Sequence, residues 1–171
     1  NIGELHLFST QRERLWKRTL NKSITAMAPI QLPQGIALAV GTSAGTVVTY
    51  DHQGQRFWTQ NLDGEAKRAI LSLSGTAVSP RENQPALAVA IEPELTNAGS
   101  ADLVLLGSNR GTLDRFEGID THGLTRLIDI NSDDNTELLL VRFATLELHG
   151  ISVNTGKNAS EWSHSLDAAP L

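Results

Sequence analysis

Val40-Gly-Thr-Ser-Ala-Gly-Thr-Val-Val-Thr-Tyr-Asp-His-Gln-Gly-Gln-Arg-Phe-Trp58 is the stretch whose reading decides the fold. Gly41 and Gly45 bracket Thr-Ser-Ala, a spacing that suits a tight hairpin because glycine reaches the positive φ such turns require. Asp51-His-Gln-Gly54 reads as a second turn, and the strand after it carries Trp58. Upstream, Ile36-Ala-Leu-Ala-Val-Gly-Thr-Ser43 is a continuous apolar run, as expected of a strand buried on both faces. After Gly45, Val48 and Tyr50 alternate with Thr49, the pattern of a strand with one wet face.

Working outward, the same arrangement recurs. The segments starting at Gly3, Gly45 and Gly111 align without gaps: each begins with Gly, carries an aromatic five residues later (Phe8, Tyr50, Phe116), and has a large apolar residue thirteen after the Gly (Trp16, Trp58, Leu124). A looser fourth copy runs from Thr145 to Trp162 and needs four more residues to reach its Trp. Apolar runs of strand length precede the later copies, at Ala101-Asp-Leu-Val-Leu-Leu-Gly-Ser108 and Thr136-Glu-Leu-Leu-Leu-Val-Arg-Phe143. Each repeat therefore reads as a four-stranded antiparallel meander, and no segment has the stripe and caps of a helix.

These residues resemble the blades of β-propellers. Gly-Thr-strand-Asp-x-x-Gly-x-x-x-Trp at 45–58 is similar to the quinoprotein-type blade, and Leu127-Ile-Asp-Ile-Asn-Ser-Asp-Asp-Asn-Thr-Glu-Leu-Leu-Leu140 is similar to the FG-GAP repeat of integrin-like propellers. The resemblance implies an all-β fold, a β-propeller segment of about three and a half four-stranded antiparallel blades. It divides the chain into a half blade at 1–20, a blade at 21–62, a blade at 63–124 with an insertion at 74–100, and a blade at 125–171. The insertion is inferred from spacing: Trp58 to Gly111 spans 53 residues, against 29 from Trp16 to Gly45. Irregular insertions of this kind lie on a rim or face, where binding loops sit. Three and a half blades do not close a ring, so the reading expects a larger propeller, its missing blades supplied by the parent protein or another chain. Asn-Ile-Gly-Glu at the start, with no initiator Met and no signal-peptide profile, fits an excised segment.

Composition narrows the function. The 171 residues are 40% hydrophobic and 19% charged, with a formal net charge of −5, which offers phosphate backbones and anionic lipid no general attraction. Nucleic acid is therefore disfavoured as a partner, and no apolar run of membrane-spanning length supports insertion into a bilayer. The basic stretch Arg12, Arg14, Lys17, Arg18 and Lys22 reads as the solvated face of an outer strand. With no cysteine there is no disulfide, thiolate metal site or thiol nucleophile, and the compartment stays open.

One loop has the chemistry of a cation site. Asp129, Asn131, Asp133, Asn135 and Glu137 set oxygen donors at alternating positions, as a hard cation such as Ca²⁺ requires. The FG-GAP pattern has Gly at the sixth position of this loop and this chain has Asp134, so an ordinary β-turn competes with the cation reading. Trp16, Trp58 and Trp162 are expected to pack between blades, not to stack on a cofactor, and the vicinal Cys pair of true quinoprotein dehydrogenases is absent. His6, His52, His122, His149 and His164 show no ligand spacing, and no nucleophile elbow or phosphate loop occurs. No catalytic residue and no cofactor is expected. The function expected is a non-catalytic scaffold for protein–protein contact in a larger assembly. The alternatives are a fragment of a quinoprotein-like enzyme or sensor and a Ca²⁺-stabilised, integrin-like adhesion module.

Overall fold

The structure, a computed structural model, describes residues 2–62, 68–77, 85–93, 100–109, 111–120, 125–128, 137–142, 145–150 and 159–165. They form strands joined by turns, and no helix occurs among them. The first sheet pairs β1 (Gly3–Phe8) with β2 (Arg14–Leu20). The second runs β3 (Ile24–Leu32), β4 (Gly35–Thr42), β5 (Thr46–Tyr50) and β6 (Arg56–Asn61). The third runs β7 (Ile70–Gly75), β8 (Pro85–Ile91), β9 (Ser100–Gly107) and β10 (Thr112–Asp120). The fourth runs β11 (Thr125–Ile128), β12 (Glu137–Arg142), β13 (Thr145–Gly150) and β14 (Ala159–Ser165). All pairing is antiparallel and every strand neighbours the next in sequence, so each sheet is a meander.

Local chemistry fixes the turns. Asp51 Oδ1 accepts the amide N–H groups of Gln53 (2.9 Å) and Gln55 (2.7 Å), and Gly54, at φ 74°, donates its N–H to the Asp51 carbonyl. A side-chain carboxylate thus replaces backbone acceptors that the reversing chain cannot supply. In the β4–β5 hairpin, Thr42 Oγ1 donates to the Thr46 carbonyl while Gly45 takes φ 68°.

The sheets stack face to face, and alternation along each strand sends side chains to both neighbours. Between the second and third sheets, Ala28, Ile30, Leu32, Ala39 and Val47 meet Ile70, Leu87, Val89, Ile91, Val104 and Leu106. On the opposite face of the third sheet, Ala88, Ala90, Leu103 and Leu105 meet Leu127 and Leu138. The third sheet is therefore buried on both sides, which explains why its two middle strands, β8 and β9, read as nearly unbroken apolar runs. A smaller cluster of Leu5, Leu20, Val40, Val48 and Tyr50 joins the first sheet to the second.

Two expectations need correction. The segment 74–100, expected as an insertion, contains β8, which sits inside the third sheet with Leu87, Val89 and Ile91 fully buried. In addition, Gly107 and Gly111 join the third and fourth strands of their sheet, whereas Gly41 and Gly45 join the second and third. The Gly111 copy is thus one strand out of phase with the copies at Gly3 and Gly45. The physical reason is that every hairpin of a meander needs the same turn residues, so a glycine pair marks a hairpin without saying which one.

Candidate interaction surface

The contact between the first two sheets is built around Trp16. On β2, its indole Nε1 donates to the His52 carbonyl at 2.9 Å, and its ring covers Gly54, where an added Cβ would lie 2.8 Å from the indole. Arg18 stacks over the same ring at 5.8 Å and donates from Nε to the Gly54 carbonyl at 2.6 Å. The aromatic of one sheet therefore locks onto the turn of the next. Arg18, expected with the solvated cations, is instead half-buried, while Arg12, Arg14, Lys17 and Lys22 are exposed. Lys17 pairs with Glu4, and with His6 it holds the Glu4 carboxyl below its ordinary range, the hydrogen bond from Lys17 being the larger cause.

Trp58, in the matching position on β6, packs against the core between the second and third sheets. Its Nε1 is buried with no hydrogen-bond partner. Trp162 lies on β14. At the base of the third sheet, Arg68 and Asp102 form a nearly buried ion pair at 2.8 Å that ties the chain ahead of β7 to β9. The Glu92 carboxylate accepts from the Ala69 amide beside it.

Of the five candidate cation ligands, Asp129, Asn131, Asp133 and Asn135 lie outside the described residues. Glu137 opens β12 opposite Ile128 and is buried. No group of three or more His, Asp and Glu is placed to hold a metal among the described residues. His52 is exposed in its turn and His6 is beside Glu4, while His149 and His164 fall on β13 and β14 and His122 lies outside the described residues.

The surface that sequence reasoning missed lies on the second sheet. Met27, Pro29 and Gln31 of β3 pair with Val40, Leu38 and Ile36 of β4, so all six share one face. The first sheet covers Val40, but Met27 and Ile36 remain 56% and 70% exposed and Leu38 is only half-buried. Next to this apolar strip runs β1, whose sheet has two strands where the other three have four. The strip was detectable in principle as Met27 and Pro29 alternating along β3, but Ala28, Ile30 and Leu32 make the opposite face apolar too, so alternation does not single it out.

No protein-family model and no curated protein sequence matches this chain. Among solved structures it is similar to BamB from Moraxella catarrhalis, with a TM-score of 0.58 at 16% identity over 95% of this chain. It is likewise similar to the Dos1 propeller, with a TM-score of 0.56 at 12% identity over 95% of this chain. The chain spans 42% of the length of each of these proteins. With the stacked four-stranded meanders, these likenesses establish the fold as part of a β-propeller.

Proposed function

We propose that the chain is a non-catalytic propeller segment that serves as a protein-binding scaffold within a larger assembly, its partners being further blades or another protein chain. The observation that carries this reading is the apolar strip of Met27, Pro29, Ile36 and Leu38 beside the two-stranded first sheet. Exposed apolar side chains on a rigid sheet favour a partner that covers the face. The propeller fold of BamB and Dos1 fits a scaffold in general and leaves the partner open. Such a scaffold works by shape complementarity, with no cofactor or metal required, and the acidic net charge disfavours nucleic acid and anionic membrane as partners.

Hydrogen exchange on the chain alone and within its parent assembly tests this. The amides of β1, β3 and β4 are expected to become protected in the assembly, and Met27→Glu combined with Ile36→Glu to weaken association without loss of β structure. Unchanged exchange at β1 and β3, or tight assembly by the double variant, would sink the scaffold reading for this face.

A further inference from the structure

Charge is divided unevenly along the chain. Residues 1–62 carry six Lys and Arg against three Asp and Glu, whereas residues 63–171 carry eight against sixteen. The first sheet and the second are thus net basic on an otherwise acidic chain, and such an asymmetry points to a local task for the basic part.

The basic part contains a cleft. It lies between the end of β2 with the turn after it and the β5 face of the second sheet, has a volume of about 230 Å³, and is lined by Thr19, Asn21 and Lys22 on one wall and by Thr46, Tyr50 and Arg56 on the other, among others. Among the described residues no carboxylate lines it, and none pairs with Lys22 or Arg56. Asn21, Lys22 and Arg56 are exposed donors at its mouth, and Tyr50 is a buried donor at its floor. Burial raises the Tyr50 hydroxyl above its ordinary value of 10.0, with Arg56 and Arg18 pulling the other way, so it stays protonated at neutral pH.

From these residues we infer that the cleft is a carboxylate-binding subsite that takes one or two acidic side chains of a peptide segment lying between the end of β2 and β5. Lys22 and Arg56 would supply charge-assisted hydrogen bonds, and the Tyr50 hydroxyl and Asn21 amide would satisfy the remaining oxygen lone pairs. The volume is below that of a typical small-molecule site and matches a side-chain head group. Extended polyanions are the poorer fit. Beyond roughly a Debye length from the cleft, about 8 Å at physiological salt, they would meet the acidic remainder of the molecule. The inference uses the scaffold reading only in making the ligand part of a protein partner.

The test is calorimetric titration of the chain with a capped hexaglutamate peptide, with hexaglutamine as the control. Lys22→Gln and Arg56→Gln are each expected to weaken hexaglutamate binding about fivefold, the upper end for a partly exposed ion pair. Arg14→Gln, an equally exposed cation outside the cleft, should change it less than about twofold, within the range of pairs that contribute little. All three positions are exposed, so the folded state survives and circular dichroism will show it. No binding by the wild type, equal weakening by Arg14→Gln, or tighter binding of inorganic phosphate, DNA or anionic vesicles than of the peptide would each overturn the assignment. The cleft and the Met27–Ile36 strip lie on the same face of the second sheet but share no lining residue, so the uncharged Met27→Gln, Ile36→Gln variant should bind hexaglutamate normally, and failure of one reading is distinguishable from failure of the other.

Discussion

Gly54 shows how one position can carry two constraints at once. Its φ of 74° is costly for any side chain, and the space a Cβ would need is filled by the Trp16 ring. Gly54→Ala should therefore destabilise the chain by about 2 kcal/mol or more, strain and steric conflict adding. Trp16→Phe keeps most of the ring contact and loses the bond to His52, for about 1 kcal/mol. Urea unfolding of both variants checks the order; an equal or larger loss in Trp16→Phe would mean that the hydrogen bond, not the close approach, holds the sheets together. At Glu4 the effect is on protonation. Its folded-state pKa is lowered by Lys17 and His6, so whatever its pairing contributes is present above the ordinary value of 4.5 and fades as pH falls through the lower folded value. Lys17→Gln should move the Glu4 titration, followed by NMR, back upward. The turn at 51–54 was legible from Asp51 and Gly54 themselves; the seating of Trp16 on that turn was not, because it joins residues 36 apart whose types say nothing of their contact.

Among elements, the innermost strands of adjacent sheets come closest where β7 meets β3. A Cβ on Gly75 would collide with the Pro29 carbonyl and the Ile30 side chain, both held in strand backbone that cannot yield. Gly107 faces side-chain atoms alone, Asn109 at 3.1 Å and Leu113 at 3.6 Å. Gly75→Ala is thus expected to cost about 3 kcal/mol or more as overpacking, and Gly107→Ala much less; thermal melts that ranked them the other way would contradict the strand approach described here. The Arg68–Asp102 pair makes a second element-level case. Asp102→Ala takes a carboxylate away from the nearly buried Arg68 guanidinium and should cost about 3–5 kcal/mol, whereas an exposed pair of the same length would cost little. Strand identity was readable at this scale wherever an apolar run lay between turn residues, as at 36–42 and 101–107. The place of each strand within its sheet was not. Ala86–Ile91 looks like a strand, yet the Trp58-to-Gly111 spacing, set against Trp16 to Gly45, puts its surroundings in an insertion, because Gly111 precedes the fourth strand of its sheet and Gly45 the third.

At the scale of the molecule, three separate clusters replace a single core: one joins the first two sheets, one the second and third, one the third and fourth. Because each sheet touches only its neighbours, stability should follow a chain of nearest-neighbour terms, highest where a sheet is covered on both faces. The third sheet is so covered, while the first is held by five buried residues and the Trp16 contact. The repeat made this modular layout legible in advance; the distribution of stability among the modules depends on which faces are covered, and that is a property of the fold. Leu87→Ala removes a fully buried side chain from the junction of the second and third sheets and should cost about 2–5 kcal/mol, with protection from hydrogen exchange falling across both sheets. Leu5→Ala acts at the small cluster, and its loss should appear as faster exchange in β1 and β2 while β8 and β9 stay protected, since the first sheet can open alone. If Leu5→Ala accelerated exchange in β8 as much as in β1, the chain would be one cooperative unit and the nearest-neighbour account would be wrong.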